Sequence, residues 1–97
     1  MLRIYQLPVS NSYCFRSYEE AKAHNFSLDD YVRVFSTEEN DTVDLEEIFS
    51  IFNGFSVPDW AKGFSGRSLS VSDIVSIDGI DYYCDNIGWK VTKEDPI

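Results

Sequence analysis

The sequence predicts an α+β domain, with a mainly antiparallel sheet of four or five strands and two helices on one face. Three observations carry this. Ser17-Tyr18-Glu19-Glu20 is a capping box that starts one helix. Leu45, Ile48, Phe49 and Phe52 recur at the spacing of a single helical face. Asp78-Gly79 separates two apolar runs, the strongest short-range signal for a hairpin. The elements follow the order β-α-β-α-β-β with an optional last strand, and the simplest packing of that order puts both helices on the same side of the sheet.

Leu2 to Leu7 reads as the first strand, stopped by Pro8, whose nitrogen has no proton to donate to a ladder. The first helix runs from about Tyr18 to His24, with Glu19 and Glu20 at its positive end. Phe26 and Leu28 tuck in behind it. Tyr31 to Ser36 is the next strand, with Val32 and Val34 on one side and Tyr31, Arg33 and Phe35 on the other. Thr37 to Asp41 contains no apolar residue and reads as a surface loop. The second helix runs from Val43 or Asp44 to Phe52 or Asn53, capped by Asp41 or Thr42 and closed by Asn53-Gly54. Phe55 to Gly66 is irregular but rich in aromatics. The hairpin strands then meet at Asp78-Gly79, where a type I′ turn needs positive φ at both central residues. Trp89 to Thr92 is the optional last strand, and residues 93–97 are expected to fray.

Ninety-seven residues suffice for one core, and 43% apolar with 15% aromatic residues predicts a folded domain. Seventeen acidic against eight basic residues give a net charge of −9. Such a chain lacks the clustered Lys and Arg that grip nucleic-acid phosphates or an anionic membrane. Long-range steering instead favours a protein partner with a basic surface. No segment reads as a signal peptide or a membrane span, so the expected location is cytoplasmic, with Cys14 and Cys84 reduced.

Catalytic equipment is sparse. His24 is the sole histidine, which removes any His-pair metal site and leaves only a Cys-His pair to consider. Asp78, Asp81 and Asp85 crowd one hairpin without the spacing of a calcium loop, and a carboxylate-based hydrolase built on them is the least favoured alternative. No catalytic residue, metal ligand or cofactor is assigned. The informative constellation is the acidic run. Asp29, Asp30, Glu38, Glu39, Asp41, Asp44, Glu46 and Glu47 stand against Arg33 alone, and they are the expected partner-binding residues together with Trp60. Part of that charge also serves the helix N-terminus. The aromatic loop around Phe55, Trp60 and Phe64 is a second candidate contact, through which a regulator would engage a cellular polymer or enzyme.

Gly66-Arg67-Ser68-Leu69-Ser70-Val71-Ser72-Asp73-Ile74-Val75, with Tyr82-Tyr83-Cys84-Asp85 and Gly88-Trp89, resembles the YodL-like domain. The resemblance extends in order through Tyr5-Gln6-Leu7, Ser17 to Ala21, Asn25-Phe26, Asp29-Asp30-Tyr31, and Leu45 to Phe49 with Phe52-Asn53. It implies a small domain of bacteria, phages and mobile elements, and no catalytic motif. The family usually has His before the serine run, and this chain has Arg67. From the residues themselves, Gly66 permits a bend, Leu69 and Val71 pack, and Asp73 bonds nearby amides. The acidic run and that setting together give the expected role, a non-enzymatic accessory protein of a phage or mobile element that binds other proteins, such as an antirestriction or anti-CRISPR inhibitor of host DNA defence.

Overall fold

The computed structural model describes residues 1–92; the fraying expected of 93–97 lies outside them. Five strands form one antiparallel sheet: β1 (Leu2–Gln6), β2 (Val32–Thr37), β3 (Ile74–Ile77), β4 (Ile80–Cys84) and β5 (Trp89–Val91). Their order across the sheet is β2-β1-β3-β4-β5, so the first strand lies inside and β2 and β5 form the edges. The helices are α1 (Tyr18–Ala23) and α2 (Leu45–Ile51), and two short 3-10 turns cover Leu28–Asp30 and Asp59–Ala61.

The ends of these elements follow their local chemistry. The Ser17 hydroxyl accepts from the Glu20 amide at 3.2 Å and starts α1. Asn25, at φ 63°, ends it by donating its amide to the Lys22 carbonyl, while the Phe26 amide reaches Ala21. Asp44 caps α2, accepting from the amides of Glu46 and Glu47 at 2.9 and 3.4 Å. This corrects the expected cap at Asp41 or Thr42; the Thr42 hydroxyl instead accepts from the Asp44 amide at 3.1 Å and sets up that cap. The hairpin turn is as predicted, with Asp78 at φ 51° and Gly79 at φ 87°.

The class and the sheet are those the sequence predicts, but the helices are not on one face. One core joins Leu2, Ile4, Val75 and Ile77 of the sheet to Ile48, Ile51 and Phe52 at α2. The other joins Ile74 and Tyr83 to Tyr18 and Ala21 of α1, with Leu7 and Tyr13. Neighbouring residues Ile74 and Val75 belong to different cores because successive side chains leave a strand on opposite faces. The reason lies in composition: β3 is buried along its whole length, and β4 carries Tyr82 and Tyr83 in succession. A sheet apolar on both faces needs cover on both.

Each core has an aromatic centre. Phe52 lies 4.9 Å from Phe64, 5.3 Å from Phe35 and 6.0 Å from Trp60 between ring centroids. On the other face Phe26 sits within 6.0 Å of Tyr13, Tyr18, Tyr31 and Tyr83. The predicted alternation in β2 is broken by a bulge: Ile4 pairs with Phe35 but Tyr5 pairs with Arg33, leaving Val34 as the extra residue. Val34 and Phe35 therefore both lean on the α2 core.

A divided core makes a quantitative prediction. Ile48→Val removes one methyl from the α2 core, and Tyr83→Phe removes the hydroxyl that donates to the Arg16 carbonyl at 2.7 Å on the other face. Each should lower unfolding free energy by about 1 kcal/mol. In urea denaturation the double variant should show the sum to within about 0.5 kcal/mol. A coupling above about 1 kcal/mol would mean that the two cores behave as one.

Candidate functional site

Two features outside the apolar cores bear on function: a buried ionic node in the 67–73 segment, and a carboxylate rim around the start of α2.

Asp73 has no solvent exposure. Its Oδ2 accepts from the Ser70 amide at 2.8 Å and from Gln6 Nε2 at 3.0 Å. Gln6 is held in turn by the backbone of Arg67, donating to its carbonyl at 2.9 Å and accepting from its amide at 3.1 Å. The Arg67 guanidinium stands 3.8 Å from Asp73 Oδ1, donates to the Leu7 carbonyl, and lies over the Phe15 ring at 5.1 Å. Gly66 permits this approach: a Cβ there would come within 2.7 Å of Gln6 Oε1 and 2.9 Å of the Phe64 ring. Leu69 packs in the α2 core as the motif predicts, whereas Val71 is only half-buried and joins neither core.

Ser72 holds the node to three other elements. Its φ of 85° is a conformation that costs a non-glycine residue about 1–3 kcal/mol. The surroundings over-determine it. The Ser72 hydroxyl accepts from the Phe15 amide at 2.9 Å, its carbonyl accepts from the Tyr31 hydroxyl at 2.7 Å, and its amide donates to the Cys84 carbonyl at 2.9 Å.

Burial raises the Asp73 carboxyl to about 6; the Ser70 amide, Gln6 and Arg67 oppose that rise without cancelling it. Burial also pushes the Cys84 thiol up to about 12 and raises Cys14, so neither presents a thiolate at neutral pH. His24 caps the exposed end of α1. The node thus has the character of a scaffold, with its charged groups turned inward.

The rim is different. Glu38 and Glu39 leave the end of β2 and are exposed, as are Asp41, Asp44, Glu46 and Glu47 around the start of α2. Two indole N–H groups fix part of this charge: Trp60 Nε1 donates to Asp41 Oδ1 at 3.0 Å, and Trp89 Nε1 to Glu46 Oε2 at 3.2 Å. Glu38, Glu39 and Glu47 have no side-chain partner among the described residues. Asp29 and Asp30 are not brought to this rim. They occupy the 3-10 turn before β2, at the far end of a six-residue strand that spans roughly 20 Å. Asp30 accepts from the Tyr13 hydroxyl at 2.8 Å.

Trp60 is half-buried, with its ring on Phe52, and Phe64 packs there too, so most of the aromatic loop faces inward. Phe55 alone stands out, 66% exposed, beside a concavity of about 340 Å³ lined by Ile51, Phe52, Val57 and Phe64. The hairpin aspartates do not converge. Asp78 sits in the turn, Asp81 opposes Ser76 in the ladder, and Asp85 accepts from the amides of Tyr18 and Asn86 at 3.1 and 2.8 Å. Among the described residues no three His, Cys, Asp or Glu side chains are grouped to hold a metal ion.

Sequence reasoning missed the partners of Asp73. Gln6 and Arg67 are 67 and six residues away along the chain. Both lie in the segments that carry the family resemblance, which was the available signal.

The fold and these features define a small α+β domain with an inward-turned ionic node and an outward-turned acidic rim. The family model of the YodL-like domain matches residues 1–93, and the chain belongs to that family. No curated protein and no solved structure matches it. No described helix is long and apolar enough to cross a membrane.

The node yields two predictions. With the Asp73 carboxyl raised from 3.8 to about 6, the folded protein keeps a proton across that interval that the unfolded chain has released. Stability from this group therefore falls as pH rises from about 4 to about 6, by up to about 3 kcal/mol, and stays lower above. Asp73→Asn should remove that slope, read as the difference between wild-type and variant denaturation curves; parallel curves would contradict it. Gly66→Ala should destabilise by about 1–3 kcal/mol through its clash with Gln6 and Phe64. In a Gln6→Ala background that cost should shrink, because one of the clashing groups is gone, and full additivity would refute the contact.

Proposed function

We propose that this YodL-like domain is a non-enzymatic accessory protein of a phage or mobile element that acts in the cytoplasm by binding a protein with a basic surface. Its most pointed form is an acidic inhibitor of host DNA defence, of antirestriction or anti-CRISPR type. The observation that carries the reading is the exposed acidic run: the side chains of Glu38, Glu39 and Glu47 have no partner among the described residues, and two indoles hold Asp41 and Glu46 in place. Carboxylates fixed on a folded surface lose little freedom when a cationic groove closes over them. The mobile-element context is what the resemblance to the YodL-like domain implies, and the inert thiols favour binding over nucleophilic chemistry.

The test is a binding assay against purified restriction and CRISPR effectors at about 0.1 M and about 1 M salt, where the screening length falls from about 10 to about 3 Å. Wild-type binding should weaken by at least about tenfold at high salt, and the triple variant Glu38→Lys/Glu39→Lys/Glu47→Lys should bind about tenfold more weakly at low salt. Binding that ignores both salt and charge reversal, or no binding, overturns the acidic reading.

A further inference from the structure

We propose that β2 is a docking edge for an extended segment of another protein, one carrying Lys or Arg at both of its ends. The inference rests on the reading of a protein-binding acidic domain given above and names the form of its partner.

An edge strand offers a row of amide and carbonyl groups that pair with any strand laid beside it. Strand β2 has six residues and pairs on one side only, with β1. Beyond the ladder, the backbone bonds of the described residues include none from Val32 to Thr37. The opposite edge, β5, has only three residues. Side chains on β2 are also open: Val32 is 57% exposed, and Arg33 and Ser36 are exposed.

Charge selects the occupant. Asp29 and Asp30 precede the strand, Glu38 and Glu39 follow it, and all four are exposed. A second copy of this chain laid along β2 would set acid against acid at both ends, whether it ran parallel or antiparallel. A strand with basic residues at its two ends meets opposite charge at each, in either direction. Arg33, the second residue of the strand, disfavours a base directly opposite it. The bulge at Val34 sharpens the local twist, which resists stacking into long flat sheets.

The test uses the whole domain, isotopically labelled, and three synthetic peptides of about ten residues, long enough to span the strand and its flanks. One has two lysines at each end of an alternating Thr-Val centre. The second replaces the lysines with glutamates. The third keeps the lysines but is N-methylated at alternate backbone nitrogens, which removes donors without touching charge. The lysine peptide should shift the amide signals of Val32–Thr37 and slow their hydrogen exchange. The glutamate and N-methylated peptides should not. Glu38→Lys/Glu39→Lys, a surface change, should weaken binding of the lysine peptide by about tenfold.

If the lysine peptide perturbs the start of α2 but not β2, the edge proposal fails and the acidic reading stands. If the N-methylated peptide binds equally well, the contact is made by side chains alone and the proposal fails. Protection of β2 by self-association of the domain, or no binding of any peptide, also overturns it. If β2 takes the lysine peptide while the effector assay is negative, the acidic inhibitor fails and the edge stands.

Discussion

The Asp73 carboxylate lies out of reach of solvent, and segments far apart in the chain depend on it. It fixes the Ser70 amide and Gln6, and through Gln6 the backbone of Arg67, while the Arg67 guanidinium ties the same segment to the end of β1. The residues on either side extend the reach. The Leu69 amide donates to the Phe52 carbonyl, Asn53 Nδ2 donates to the Leu69 carbonyl, and Ser72 reaches Phe15, Tyr31 and Cys84. The 67–73 segment thus meets β1, the end of α2, the first loop, the entry to β2 and β4. A buried charge is costly to leave unpaired, so removing any one partner endangers the whole set. Such a network is weak evidence for high stability but a good device for fixing one arrangement of chain segments.

That arrangement is what the two cores need. The node lies at the end of the sheet where β1 leaves and β3 begins, next to Ile74, which joins the α1 core, and Val75, which joins the α2 core. With both faces of the sheet covered and the ionic groups of the node turned inward, most of the surplus negative charge is left outside. Asp44 also serves as a helix cap and Asp30 also accepts from a tyrosine hydroxyl, though both stay exposed. Asp29 precedes β2, Glu38 and Glu39 follow it, and Glu47 lies in the first turn of α2, all with no side-chain partner among the described residues. Glu38 and Glu39 at the end of β2 belong to both features, whereas Glu46 is held by Trp89 of β5, at the opposite edge of the sheet.

Much of this was legible in the sequence. The capping box, the Leu45-Ile48-Phe49-Phe52 face and the Asp78-Gly79 turn are local codes, and local codes translate directly into elements. The placement of the helices was not legible from element order, because order is silent on which face a helix takes. The signal lay in Ile74-Val75 and Tyr82-Tyr83, consecutive apolar residues that demand cover on both sides. The bulge at Val34 escaped because strict alternation in β2 cannot reveal an extra residue. The cap at Asp44 was missed because Asp41, Thr42 and Asp44 all have the right chemistry and only backbone geometry separates them. Of the candidate site, the exposure of Glu46 and Glu47 followed from helical periodicity, whereas the separation of Asp29 and Asp30 from the rest required the length of β2. The pairing of Gln6, Arg67 and Asp73 is a long-range contact that no window of sequence contains.

Asp73 is sealed within an ionic node that organises the domain. The most direct measurement is a carbon-13 NMR titration of the Asp73 carboxyl group in the intact protein. The account predicts a midpoint near 6, with the amide signals of Gln6, Arg67 and Ser70 moving along the same curve. A midpoint near 4, with those amides silent, would show a solvated carboxylate and contradict it.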